Sequence, residues 1–131
     1  MRSIVFCAVA LLVPAAVHAQ EVDCTAPQVQ MEMTYCAEQD WIAADADLND
    51  AYKAARQAML DIDANLPQDQ RGAAEYLKQA QRAWIDFRDA ACAAEGYQMH
   101  GGSAEPMVIY GCRARLTGQR AQDLWVLAAS E

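Results

Sequence analysis

Cysteine, carboxylate, histidine and methionine side chains give this sequence its capacity for chemistry, and their spacing narrows what that chemistry is. Cys24, Cys36, Cys92 and Cys112 lie outside an apolar N-terminal stretch that holds Cys7. An even set in an oxidising compartment reads as two disulfides. Of the three connectivities, Cys24 with Cys36 and Cys92 with Cys112 is favoured, because each closes a local loop around a helix end. Each would stabilise by roughly 3 kcal/mol in the chain-entropy treatment, but the order of the cysteines leaves the other pairings open. Zinc is the rival use. Against it, the cysteines are scattered, no C-x-x-C pair occurs, and His100 is the sole histidine beyond the N-terminal stretch. No metal or cofactor is assigned.

The carboxylates invite a glycosidase reading, with Asp45 facing Asp86 or Asp89 across helices. That chemistry needs two carboxyl groups at a set separation beside a sugar cleft, and nothing in the spacing fixes it. No general acid–base signature is assembled. His100 has no evident serine or cysteine partner for nucleophilic catalysis, and Gly101-Gly102 is not followed by the Lys-Ser or Lys-Thr of a phosphate loop. Met31, Met33, Met99 and Met107 with His100 resemble a copper(I) ligand set. Met31 and Met33 would point roughly 200° apart on a helix, and methionine more often fills gaps in apolar surface. The expectation is a protein that is not an enzyme.

Helices must position these groups. Leu77, Ala80, Trp84, Phe87 and Ala91 recur at intervals of three and four and predict one apolar seam. Ala37, Trp41, Ala44, Leu48, Ala51, Ala55 and Ile62, widened by Tyr52 and Met59, predict a long first helix from about Gln28 to Asp63. A turn over Asn65 to Asp69, containing Pro67, leads to a second helix at about Gln70 to Glu95. Gly96 is placed to end that helix in the left-handed conformation. A loop from Gly96 to Pro106 follows, with Gly101-Gly102-Ser103 its most flexible point. A last helix, about Glu105 to Ala128, turns Ile109, Leu116, Leu124 and Leu127 inward, with Gly111 and Gly118 as points of kinking. The fold class is all-α: a compact, disulfide-stapled bundle of three main helices that starts with an antiparallel helical hairpin. Trp41, Trp84 and Trp125 read as core anchors before sugar platforms. Arg88 and Arg120 sit near the seams, where each is expected to meet an acid such as Asp45 or Asp89 in a structural ion pair. Asp45 and Asn49 share a face one helical turn apart.

Arg2, the apolar run Ile4 to Val13, Pro14 and the ending Val17-His18-Ala19 read as a secretory signal cleaved after Ala19. The domain assignment is therefore a signal peptide at 1–19 and a single helical domain at 20–131. The apolar run is too short to span a bilayer, and Cys7 lies within it rather than at a lipoprotein cleavage point. The mature chain is expected to be soluble and periplasmic or secreted. The formal charge is -8. Loss of Arg2 would make it more acidic, which disfavours nucleic acid and anionic membranes and steers cationic proteins toward the chain. An acidic surface also serves solubility alone.

Four stretches in order carry a family resemblance: Cys24 and Cys36; Ala44-Asp45-Ala46-Asp47-Leu48-Asn49-Asp50-Ala51-Tyr52; the segment Ala80 to Cys92, of form AQ.AW..FRDA.C; and Cys112 to Arg120, of form C...LT..R. Together they resemble the LprI-like family, named for a mycobacterial lysozyme inhibitor. The namesake is similar to a lipoprotein, from which this chain departs by lacking a cysteine at its expected cleavage point. The resemblance implies an exported, non-enzymatic protein-binding domain that inhibits lysozyme-type muramidases. The alternative is an envelope protein that binds a cell-wall component or another exported protein. Animal lysozymes are strongly basic, so an acidic domain has a favourable encounter with them. On that reading His100, Gly101, Gly102 and Ser103 contact the partner, with His100 and Ser103 donating hydrogen bonds to carboxylates of its cleft.

Overall fold

In the computed structural model residues 22–129 are described, and the expected signal peptide lies outside them. Three long helices carry the fold: α1 (Gln30–Asn65), α2 (Ala73–Gly96) and α3 (Glu105–Ala128). Short 3-10 turns at Gln68–Gln70 and Tyr97–Met99 lie in the connections, and no strand occurs among the described residues.

Local chemistry sets the helix ends. The Glu32 carboxylate accepts the Gln28 and Val29 N–H groups at 2.7 and 3.4 Å, folding the chain into α1. At the other end Pro67 forces Leu66 into extended backbone, where α1 stops. The start of α2 has no side-chain cap of its own. Asp63, on the last turn of α1, replaces it. One carboxylate oxygen accepts the N–H groups of Gly72 and Ala73 at 2.8 and 2.9 Å, and the other accepts that of Ala74 at 3.1 Å. A single side chain thus ties the hairpin shut and satisfies donors that a helix N-terminus leaves open.

Gln81 on α2 meets Arg120 on α3, and Arg88 meets Thr117, so these two helices run antiparallel. Gln30 meets Met107 and Asp47 meets Trp125 at near-constant separations of 77 and 78 residues, so α1 and α3 run parallel. The bundle is up-down-up. Its most extensive pairing is α1 with α3, not the α1–α2 hairpin. Ala51, Ala55 and Ala121 are fully buried beside Leu48, Leu77 and Leu124, and such small side chains let helix axes approach closely.

The disulfides join Cys24 to Cys36 and Cys92 to Cys112, with S–S distances of 2.05 Å in both. The second fixes which side of α2 faces α3. Stepping back from Cys92 by turns of the helix gives Arg88, Trp84, Gln81 and Leu77, and this is the inward face. The expected seam is therefore rotated: Leu77 and Trp84 lie on it, but Ala80 and Phe87 face outward, Phe87 being 60% exposed. Ile62 is also exposed, because the 77-residue offset brings α3 to its end before α1 is finished.

Gly96 does not end α2 in the left-handed region. Its φ is -60°, it is buried, and a Cβ there would lie 2.5 Å from Ile109 Cγ1. Its role is to admit the side chain of α3. The left-handed residue is Gly101, at φ 76°. Gly111 and Gly118 lie within α3, which is assigned as one continuous helix through both.

Candidate functional site

Arg88 occupies the centre of the three-helix contact. Its side chain is 9% exposed and lies over two indoles, 5.6 Å from the Trp41 ring centroid and 5.2 Å from that of Trp84. Its Nε donates to Asp89 Oδ1 at 3.0 Å, while Nη1 lies 3.5 Å from Thr117 Oγ1 and 3.8 Å from Asp45 Oδ1. A planar, weakly hydrated cation suits such a place better than an ammonium group. Arg113 completes the cluster, 4.8 Å over Trp41 and 3.4 Å from the same Asp89 oxygen, and Tyr110 stacks on Trp41 at 5.7 Å. Arg120 pairs with no acid among the described residues: its Nε donates to Gln81 Oε1 at 3.1 Å. The ionic partners of the interior are thus Asp89 and, at longer range, Asp45.

Beyond the Cys92–Cys112 bridge, the segment Tyr97 to Ala104 forms one end of the bundle. Glu105 clamps it. One carboxylate oxygen lies 3.0 Å from His100 Nδ1 and the other accepts the Gly101 N–H at 2.8 Å. These two bonds, that of His100 foremost, hold the Glu105 carboxyl below its ordinary acidity range. The Gly102 N–H donates to Met99 O at 2.9 Å. The Tyr97 and His100 rings stack at 4.4 Å and 5°, both exposed. The loop expected to be most flexible is held by its own hydrogen bonds. Because the Gly101 and Gly102 N–H groups are used internally, what the loop presents outward is side chains, His100 and Ser103 together with Tyr97, Gln98 and Met99.

Concavities flank this loop on two sides. One, of about 520 Å³, lies beside Gly101, Gly102, Tyr110 and Arg113. The other, of about 540 Å³, lies beside Ser103, Met31, Tyr35 and Glu38. Met31 and Tyr35 are exposed at this second concavity, and Tyr97 and Met99 are exposed on the loop. Met31 is exposed, and Met107 accepts a hydrogen bond from Gln30 at 3.5 Å.

The family model described as "Lysozyme inhibitor LprI" matches residues 23–124. The chain belongs to the LprI family. An uncharacterised protein of Rhizobium meliloti (strain 1021) is 45% identical over 124 residues, covering 89% of this chain and 86% of that one. A solved structure of a DUF1311 family protein from Pseudomonas putida KT2440 shares the fold, with a TM-score of 0.66 over 83% of this chain and 100% of that one, at 24% identity.

Within this LprI-family chain the motif residues divide between two places. Arg88, Asp89, Cys92, Cys112 and Thr117 build the interior cluster and its staple. Asp45, Leu48, Asn49 and Tyr52 open onto a groove between α1 and α2. Sequence reasoning missed Arg113, Trp41's double stacking and the Glu105 clamp. The clamp had a local signal, an acid five residues after His100 at the first position of α3, where a carboxylate is favoured. The Arg113–Trp41 contact joins separate helices and had none.

Proposed function

We propose that this chain is an exported, non-enzymatic protein-binding domain that inhibits lysozyme-type muramidases through the loop Tyr97 to Pro106. The observation that carries the reading is the match of residues 23–124 to a family described as a lysozyme inhibitor. The loop's construction supports it: a segment already fixed by a disulfide, the Glu105 clamp and a ring stack loses little conformational freedom on docking. Exposed Tyr97, Met99, Met31 and Tyr35 supply the aromatic and thioether surface that protein interfaces favour. The net charge of -8 favours encounter with a basic enzyme, and cleavage after Ala19, which belongs to this proposal, removes one cation more. Two disulfides suit an oxidising compartment outside the cytoplasm.

In this arrangement Ser103, and His100 through Nε2 of a protonated ring whose Nδ1–H is held by Glu105, donate to carboxylates in the enzyme's cleft, while Gly101 and Gly102 keep the loop tip narrow. The test is cell-wall lysis by hen-type and bacterial-type lysozymes, titrated with the oxidised protein at two salt concentrations against an equally acidic control protein. Saturable inhibition that exceeds the control, weakens with salt and is lost in a His100→Ala, Ser103→Ala double variant is expected. Inhibition unaffected by the double variant would refute the loop mechanism. No inhibition of either enzyme would refute the inhibitor reading and favour an envelope partner instead.

A further inference from the structure

The groove between α1 and α2 has a volume of about 530 Å³, within the range of about 300–1,000 Å³ typical of small-ligand clefts. Its charge is opposite to that of the chain around it. Lys78, Arg82 and Arg88 line it against one carboxylate, Asp45, in a protein of net charge -8. The three cations are not equally committed. Lys78 pairs with Glu75 at 3.3 Å, whereas Arg82 makes no hydrogen bond or ion pair with the described residues and interacts with Glu75 only at longer range. Arg88 spends Nε on Asp89, but its Nη1 contacts, at 3.5 and 3.8 Å, are long for a guanidinium and an oxygen. Two guanidinium groups about one and two-thirds helical turns apart on α2 can therefore receive a carboxylate without giving up a short bond.

The rest of the lining is suited to neutral polar groups on a ring. Asn49 donates its amide to Asp45 Oδ2 at 3.2 Å, which holds that carboxylate to one side and leaves the Asn49 oxygen as an acceptor. The Gln81 oxygen is taken by Arg120, so its amide NH2 remains as a donor from a nearly buried side chain. Tyr52, Leu48 and Ile85 provide the apolar wall against which the C–H face of a pyranose packs. Cations spread along α2 from Lys78 to Arg88, amides and a carboxylate among and opposite them, and an apolar wall describe neither a lipid site nor a plain anion site.

We propose that this groove binds a saccharide bearing a carboxylate. The carboxylate pairs with Arg82 and Arg88, ring hydroxyl or acetamido groups meet Asn49, Asp45 and Gln81, and the ring lies along Tyr52. The site uses none of the loop residues and stands whether or not the chain inhibits lysozyme.

The experiment is a residue-resolved NMR titration of the oxidised protein with N-acetylmuramic acid, N-acetylglucosamine and sodium acetate in parallel. The two sugars differ by the lactyl carboxylate. N-Acetylmuramic acid should shift groove resonances saturably, with N-acetylglucosamine and acetate each binding about tenfold or more weakly, as expected for loss of one charge-assisted contact or of the ring. Arg82→Ala, at an exposed site that leaves the core intact, should weaken the muramic sugar about tenfold and leave lysozyme inhibition unchanged. The His100→Ala, Ser103→Ala variant should bind the sugar normally. Equal binding of the two sugars, acetate matching the muramic sugar, indifference to Arg82→Ala, or no groove shifts would each overturn the proposal.

Discussion

Arg88 shows why residue type matters more than charge in this interior. The side chain lies against two indoles, two acids and one hydroxyl, and only a flat cation can face the rings while its edge reaches Asp89. Lysine retains the charge but concentrates it at a strongly hydrated point. Arg88→Lys is expected to cost about 1–2 kcal/mol, from lost stacking on desolvated rings and a poorer bond to Asp89, measured by urea unfolding of the oxidised protein. A change under the error of that measurement would mean that the indoles take no part in holding the guanidinium. The sequence located Arg88 near a seam and named Asp45 and Asp89 as partners. Arg120 was assigned the same kind of partner yet faces Gln81, because side-chain identity does not say which neighbouring helix, at which register, will stand opposite.

Among the elements, the α1–α2 connection depends on one carboxylate. Asp63 accepts three backbone N–H groups at the start of α2, and these hold its pKa below the ordinary 3.8. A depressed folded-state pKa means that the unfolded chain binds the proton more tightly, so stability rises with pH there. Asp63's contribution is complete above its ordinary pKa and is lost as pH falls through the lower folded value. Asp63→Asn should therefore lower the unfolding midpoint at neutral pH and flatten its fall below about pH 4. Asp23, Glu75 and Glu105 are depressed as well, so a shallower slope remains; an unchanged slope would contradict the capping role. At the other end of α2, Gly96→Ala tests close packing. A Cβ 2.5 Å from Ile109 must displace it, at an expected cost of about 1–3 kcal/mol by denaturant unfolding. Had Gly96 served as a left-handed cap, the change would instead report backbone strain, and shortening Ile109 to alanine would not relieve it.

For the molecule as a whole, the Cys92–Cys112 bridge joins the last turn of α2 to α3 and bounds the end that carries the loop. Replacing both cysteines by serine should destabilise the protein by about 3 kcal/mol, as closure of a loop of this length implies. The same variant should raise amide exchange from Tyr97 to Ala104 and weaken the proposed lysozyme inhibition more than the proposed sugar binding, since the groove lies along the bundle's middle. Equal loss of both would mean that the staple supports the whole bundle rather than the loop.

Periodicity, turn residues and cysteine count determined the three helices, their order and the number of bridges, because those are local properties of the chain: apolar spacing, Pro67 and an even set of cysteines; the pairing, which the sequence favoured but left open, is settled by the structure. The long first helix and the last helix were legible to within about two residues at their ends. Only the tertiary structure decided rotation and register. Phe87 reads as core on hydrophobicity and Arg88 as a partly inward residue beside the seam, yet the bridge at Cys92 turns Arg88 fully inward and Phe87 out. Likewise the 77-residue offset between α1 and α3 exposes Ile62, and a groove with three cations forms where two helices of an acidic chain meet. Each depends on which residues of different helices stand opposite one another, a choice made by packing among faces that the sequence leaves equally open.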